Sequence, residues 1–265
     1  MDLQISGKKA IVTGGSRGIG KAIARRLALE GCDVAICARG EGPLKEAATE
    51  LAKESKRKVV PMTCDTTDPE SIKLFVDRSA EALGGIHILV NSAARVGGAR
   101  GDIETVDPEE VIRDFEEKVI GYIRCAQAAV PYMKQAGWGR IINISGNAGR
   151  SPGTQISAGA RNAATINLTK ALANSLGPSG INVNAIYPGG TVTEVTTERS
   201  RERAAREGKT LEALLKEQAE NTLIRHLVTA EDIANVVAFL CSPLAIGITG
   251  EAIAVNGGGA SDVHF

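Results

Sequence analysis

Residues 10–31, AIVTGGSRGIGKAIARRLALEG, carry the spacing with the most chemical content. Ala10, Ile11 and Val12 read as the end of a buried strand. Gly14, Gly18 and Gly20 then form a GxxxGxG turn around Ser16, Arg17 and Ile19. Ile19, Ile23 and Leu27 recur at helical spacing until Gly31 stops the helix. A strand feeding a glycine-rich turn and then a helix is a phosphate-binding device. The turn leaves backbone N–H groups uncovered, the helix start adds partial positive charge, and the bare glycines let a pyrophosphate come close to the backbone.

A second apolar run, 33–38, ends at Arg39. In a dinucleotide-binding sheet that tip meets the adenosine ribose, and an acidic residue there holds a 2′-hydroxyl. Here Ala38 and Arg39 stand in that place, and Arg17 supplies a second guanidinium from the glycine turn. Two arginines with no carboxylate suit the 2′-phosphate of NADP, with NAD the alternative, unless both are ordinary solvated side chains.

The elements that must position this turn follow in alternation. Leu44, Ala47, Ala48, Leu51 and Ala52 make a helical stripe, 58–64 a third strand ending before Asp65 and Thr66, and Asp68-Pro69 the start of a helix to about Leu83. A fourth strand, 86–90, runs into Asn91-Ser92-Ala93-Ala94. Asp107-Pro108 opens a long helix continuing through Val111, Phe115, Ile120, Ile123 and Val130. Strand 140–144 leads to Ser145, helix 160–177 follows, and strand 181–186 precedes Tyr187-Pro188-Gly189. Residues 197–220 are densely charged at helical spacing, either a solvated helix pair or part of a lid spanning about 193–222. Thr229 to Asp232 is a capping-box start, and 251–255 a last strand. This alternation predicts one α/β domain over 1–265: a doubly wound parallel sheet with helices on both faces, whose ligands bind at the carboxyl ends of the strands.

Composition narrows the partners. The 265 residues have 31 basic and 31 acidic side chains, which argues against an electrostatic nucleic-acid or membrane partner. The five cysteines are scattered, no CxxC pair exists, and His87, His226 and His264 do not cluster with them, so no metal site is expected. The N-terminus lacks an apolar signal core and no apolar run is long enough for a bilayer, so a reduced cytoplasmic setting is the expectation.

Taken together, the motifs resemble those of the short-chain dehydrogenase/reductase family over nearly the whole chain. Residues 13–20, TGGSRGIG, resemble its TGxxxGxG cofactor motif, and Asn91-Ser92-Ala93-Ala94 is similar to its NNAG motif with two positions changed. Pro188-Gly189 through Thr193 resembles its PGxxxT segment, and 249–258 its TGxxxxVDGG ending. The resemblance implies a three-layer Rossmann fold and a dimer or tetramer acting on a small-molecule substrate. It places Asp65 near adenine, Asn91 near the adenosine ribose and Thr193 near the carboxamide.

The family's chemistry uses a Tyr and a Lys one helical turn apart, a Ser at the preceding strand end and an Asn on the long helix. Laid on 158–173, AGARNAATINLTKALA, the family pattern puts Ala158 at the Tyr position and Asn162 at the Lys position. Gly146 takes the usual Ser position beside Ser145, and Lys118 the Asn position. None of Tyr122, Tyr132 and Tyr187 has a lysine four residues later. Losing a positioned acid removes roughly 10²–10⁴-fold from a rate.

Lys118, Ser145, Arg161 and Asn162 are therefore the candidates around a divergent pocket. Lys118 can serve as an acid if burial lowers its pKa, and Arg161 can polarise a carbonyl without giving up its proton. Equally, Lys118 can be solvated, Arg161 paired on the surface and Ser145 a strand-end cap. Two functions follow: a divergent NADP(H)-dependent oxidoreductase, or a catalytically silent NADP-binding partner subunit or sensor.

Overall fold

The computed structural model describes residues 1–95, 97–99, 101–151 and 153–259; His264 lies outside them. In chain order the elements are β1 (Lys9–Thr13), α1 (Gly18–Leu29), β2 (Asp33–Ala38), α2 (Glu41–Ser55), β3 (Val59–Thr63), α3 (Pro69–Leu83), β4 (Ile88–Asn91) and α4 (Pro108–Phe115). A π turn (Glu116–Ile120) joins α4 to α5 (Gly121–Gln135), then come β5 (Gly139–Ile144), α6 (Ile156–Leu176), β6 (Ile181–Pro188), β7 (Thr191–Val192) and α7 (Glu194–Arg206). The chain continues through α8 (Leu211–Glu220), β8 (Val228–Thr229), α9 (Ala230–Leu240) and β9 (Ala252–Val255).

Seven strands pair in the order β3-β2-β1-β4-β5-β6-β9, all parallel. Successive strand residues face opposite sides, and each side has its own core. Val12, Ile36, Val90 and Ile142 pack against α1, α2 and α9 through Ile23, Leu27, Leu44, Leu51, Ile233 and Val237. Ile11, Ala35, Leu89 and Ile141 pack against α3, α5 and α6 through Phe75, Val76, Cys125, Met133 and Leu176. All five cysteines are free and buried, as small apolar side chains would be. The strand order reverses between β1 and β4, which opens the crevice at their carboxyl ends. Among the described residues no helix is long and apolar enough to cross a membrane, and no three His, Cys, Asp or Glu side chains gather as a metal-holding group.

The doubly wound sheet and the capping box of Thr229 and Asp232 agree with the sequence expectation. The larger boundary differences are that β4 begins at Ile88 rather than 86, α6 begins at Ile156, a turn before 160, and β6 runs on to Pro188 rather than 186. A short parallel pair, β7 with β8, was not anticipated.

The largest correction concerns the long helix from Pro108. It is not one continuous α-helix, because the π turn inserts an extra residue where Gly121 N–H reaches back to Glu116 O. Gly121 is tight against the β3–α3 turn, since a Cβ there would lie 2.9 Å from Thr66 O. The expected apolar stripe is also displaced. Ile120 is exposed, and the buried face is carried by Asp114, Lys118, Tyr122, Cys125, Ala126, Ala129 and Met133. The last four of these residues are apolar core, whereas Asp114, Lys118 and Tyr122 make polar contacts to α6 and the end of β5.

Candidate functional site

The glycine turn is shaped by close backbone approach. Gly14 and Gly18 lie at φ +69° and +58°, in the left-handed region that favours glycine. A Cβ on Gly20 would lie 2.3 Å from Gly14 O, and one on Gly14 would lie 3.0 Å from Ala93 Cα. Thr13 Oγ1 accepts the Ser92 and Ala93 amides at 3.0 and 3.1 Å, which ties the β1 turn to the end of β4. Ser16 and Ile19 are half-buried at the turn and Arg17 is exposed. The N-cap of α1, Arg17, gives no side-chain cap, and the first helix amide, Gly18 N–H, donates to Glu194 Oε2 at 3.1 Å. This is a cradle that side chains would fill, and its donors fit a cofactor diphosphate.

Around that cradle the structure gathers the other expected residues. Arg39 follows β2 and is exposed, with Nη1 3.4 Å from Glu117 Oε1. Asp65 accepts from the Thr67 amide and hydroxyl at 2.9 and 2.8 Å, and the amide holds its carboxyl below the usual carboxylate range. Thr66 is buried beneath the π turn and donates to Glu117 O at 3.4 Å. Asn91 is wholly buried; its amide donates to Asn143 Oδ1 at 2.9 Å, and its own Oδ1 has no partner. Its side chain is therefore a tie between β4 and β5. Pro188 ends β6, and a Cβ on Gly189 would press on Asn256 Cβ at 2.8 Å. Thr193 caps α7 through a reciprocal box with Thr196 and lies beside Gly18, bringing the far segment onto the turn. Thr222, Leu223 and Ile224, after α8, lie over Gly257 and Gly258.

The second half of the crevice is built from the π turn, the β5 end and α6. Lys118 is only 4% exposed, so a solvated lysine is excluded. Its Nζ donates to Asn162 Oδ1 at 2.7 Å and to Ser145 O at 2.9 Å. Burial pulls this ammonium down to about 7, with repulsion from Arg161 adding to the effect and Asp114 opposing it. The Ser145 hydroxyl is taken up by Asn162 O at 2.9 Å. Ala158 lies buried one turn before Asn162.

Gly146 and Asn162 are mutually exclusive with a larger neighbour. A Cβ on Gly146 would lie 2.6 Å from Asn162 Nδ2, so the amide fills the room a side chain at 146 would need. Gly146→Ser is expected to destabilise the protein by about 1–3 kcal/mol. Adding Asn162→Ala should recover most of that loss in thermal unfolding. Equal stability of wild type and Gly146→Ser would show that the contact is not binding.

Arg161 is not a surface pair either: it is 3% exposed. Its Nη2 donates to Arg95 O at 2.8 Å, and Nη1 lies 3.5 Å from Asp114 Oδ1. Asp114 is fully buried, accepts from Ser157 Oγ and the Ala99 amide, and pairs with Arg95 Nη2 at 3.0 Å. Sequence reasoning missed Asp114, Arg95 and Ser157. One signal was available: Asp114 stands four residues before Lys118, a spacing that shares a helix face. Tyr122 is also nearby, but its hydroxyl donates to Ile144 O at 3.1 Å and burial pushes its pKa up.

Comparison with known proteins decides the family. Residues 14–260 match the family model described as enoyl-(acyl carrier protein) reductase. The chain is 35% identical over 263 residues to 3-oxoacyl-[acyl-carrier-protein] reductase FabG of Aquifex aeolicus, covering 97% of this chain and 99% of the relative. The chain belongs to the short-chain dehydrogenase/reductase family. Among solved structures, it is similar to L-sorbose reductase from Gluconobacter frateurii complexed with NADPH and L-sorbose. That match has TM-score 0.95 and 31% identity, covering 99% of this chain and 100% of that one. It is also similar to an actinorhodin polyketide ketoreductase with NADPH, at TM-score 0.89 and 30% identity, covering 99% of this chain and 100% of that one. The Rossmann sheet of this short-chain dehydrogenase/reductase is thus shared end to end with those of its relatives.

Proposed function

We propose that this chain is an NADP(H)-dependent reductase of a small carbonyl compound that works without the family's tyrosine–lysine pair, with Lys118 as its acid. The observation that carries the reading is the contact between Lys118 Nζ and Asn162 Oδ1 at 2.7 Å. The two residue types are transposed relative to the family pattern. The ammonium comes from the π turn and the amide from α6, yet the two meet in one place.

Ser145 gives its hydroxyl proton to Asn162 O. Arg161 donates Nη2 to Arg95 O and lies 3.5 Å from Asp114, and although its Nε and Nη1 have no hydrogen-bond partner, a guanidinium keeps its proton and cannot act as the acid. An ammonium has three N–H donors, and two of those on Lys118 have protein acceptors. The third is the donor left for a substrate oxygen. When bound, the reduced nicotinamide supplies the hydride. Lys118 stabilises the growing alkoxide and then gives it a proton, leaving a neutral amine that burial already favours. Asn162 Oδ1 and Ser145 O hold the nitrogen in place through both states.

The preference for NADP(H) rests on Arg39 and Arg17, with no carboxylate in the chain directly after β2. Two relatives of known structure carry NADPH in their complexes. Titration with NADPH and NADH, then a cofactor-oxidation screen over carbonyl compounds, tests the reading. NADPH should bind more tightly, and carbonyl reduction should fall as pH rises through about 7, where Lys118 loses its proton. Oxidation of the product alcohol should rise over the same interval, because it needs the neutral amine. Binding of neither dinucleotide at millimolar levels would sink the proposal, and binding with no turnover across the panel would favour the silent role.

A further inference from the structure

Two of the chain's own carboxylates hold the groups that the phosphates of NADP(H) would need. Glu194, the first residue of α7, accepts the Gly18 amide through Oε2 at 3.1 Å across 176 residues of sequence. Helix α1 has no side-chain cap and no acidic residue in its first turn, so this distant carboxylate is the negative charge at its start. A diphosphate in the cradle needs the same amide, and one N–H cannot serve both well.

Glu117 stands at the other phosphate position. It lies in the π turn, and its side chain is 13% exposed. It faces Arg39 Nη1 at 3.4 Å on one side and Arg95 Nε at 3.5 Å on the other. Arg39 is the guanidinium that a 2′-phosphate would seek, and it is 65% exposed, so it is free to turn. A 2′-phosphate brought to Arg39 meets a carboxylate already at that arginine, whereas NADH carries no such phosphate.

We infer that Glu194 and Glu117 are resident competitors for the cofactor's phosphates, Glu194 against the diphosphate and Glu117 against the 2′-phosphate. This rests on the reading that the crevice takes NADP(H). Glu194 sets affinity for both dinucleotides, while Glu117 narrows the discrimination between them. Displacing Glu194 also breaks the tie between the starts of α7 and α1, which links diphosphate arrival to the charged α7–α8 segment.

The test is binding, not turnover. NADPH and NADH are titrated into wild type, Glu194→Gln, Glu194→Ala and Glu117→Gln, following nicotinamide fluorescence. Both Glu194 variants should tighten both cofactors by about three- to tenfold, in keeping with one charge removed at a helix start. Glu117→Gln should tighten NADPH by about two- to fivefold, the scale of one exposed ion pair, and leave NADH within about twofold. Unchanged or weaker binding in both Glu194 variants overturns the first role. Equal tightening of both cofactors by Glu117→Gln, or none, overturns the second. If wild type binds neither dinucleotide, the parent reading fails and this inference with it. Tight wild-type binding with flat variants removes this inference alone.

Discussion

Lys118→Met is expected to lower the rate of NADPH-dependent carbonyl reduction by roughly 10²–10⁴-fold, the contribution of a positioned proton donor. The side chain is nearly isosteric, so the pocket stays filled while the proton is lost. Lys118→Arg separates charge from proton transfer, because a guanidinium stays protonated at all relevant pH and cannot hand over its proton. Both variants should be slow, and in both the fall in rate through about pH 7 should vanish. Wild-type turnover in Lys118→Met would remove Lys118 from the chemistry.

The same residue makes a stability claim whose sign is fixed by burial. The folded state lowers the Lys118 pKa from 10.5 to about 7, so the charged form is penalised on folding. Below about pH 7 both states carry the proton and the penalty is complete. Between about 7 and 10.5 the unfolded chain binds more protons, and stability rises with pH. Relative to wild type, Lys118→Met should therefore be most stabilised in acid, and its advantage should shrink by on the order of 4–5 kcal/mol by pH 10 or so. The loss of a donor to Ser145 O and Asn162 Oδ1 offsets part of that advantage at every pH.

Asp114→Ala is expected to destabilise the fold by about 3–5 kcal/mol, because it leaves a buried charge without its counter-charge. Asp114 is fully buried and is the carboxylate on which Arg161, Arg95, Ser157 and the Ala99 amide converge. Removing it strands the Arg161 guanidinium at 3% exposure. It also releases the segment after β4 from α4 and α6. Denaturant unfolding measures the loss. Combining Asp114→Ala with Arg161→Met should restore much of it, since an apolar pair avoids burying either charge. A single-variant cost below about 1 kcal/mol would mean that water or another group already solvates Arg161.

The sequence carried local information well wherever one residue type had one physical use. Gly14 and Gly18 are needed for their backbone angles, and Gly20 for its approach to Gly14 O. Asp68-Pro69 and Thr229–Asp232 cap their helices through bonds within three residues. The alternation of apolar runs set the parallel sheet, because a parallel connection requires a crossover helix each time. These features depend on neighbours in the chain, so they could be read along it.

Tertiary structure decided what depended on partners far away in sequence. The period of Val111, Phe115, Ile120 and Ile123 suggested one uninterrupted helix, but an extra residue at Gly121 rotates the face that reaches the crevice. Lys118, on the face of buried Asp114, is out of solvent because it meets Asn162, 44 residues later. Arg161 differs from an ordinary surface arginine only because Asp114 comes up beneath it from another helix. The sequence alone established a phosphate-gripping Rossmann scaffold and the residue types in its pocket. Which of those types touch, and which lose their water, followed from long-range packing, because burial and charge pairing are properties of the assembled layers.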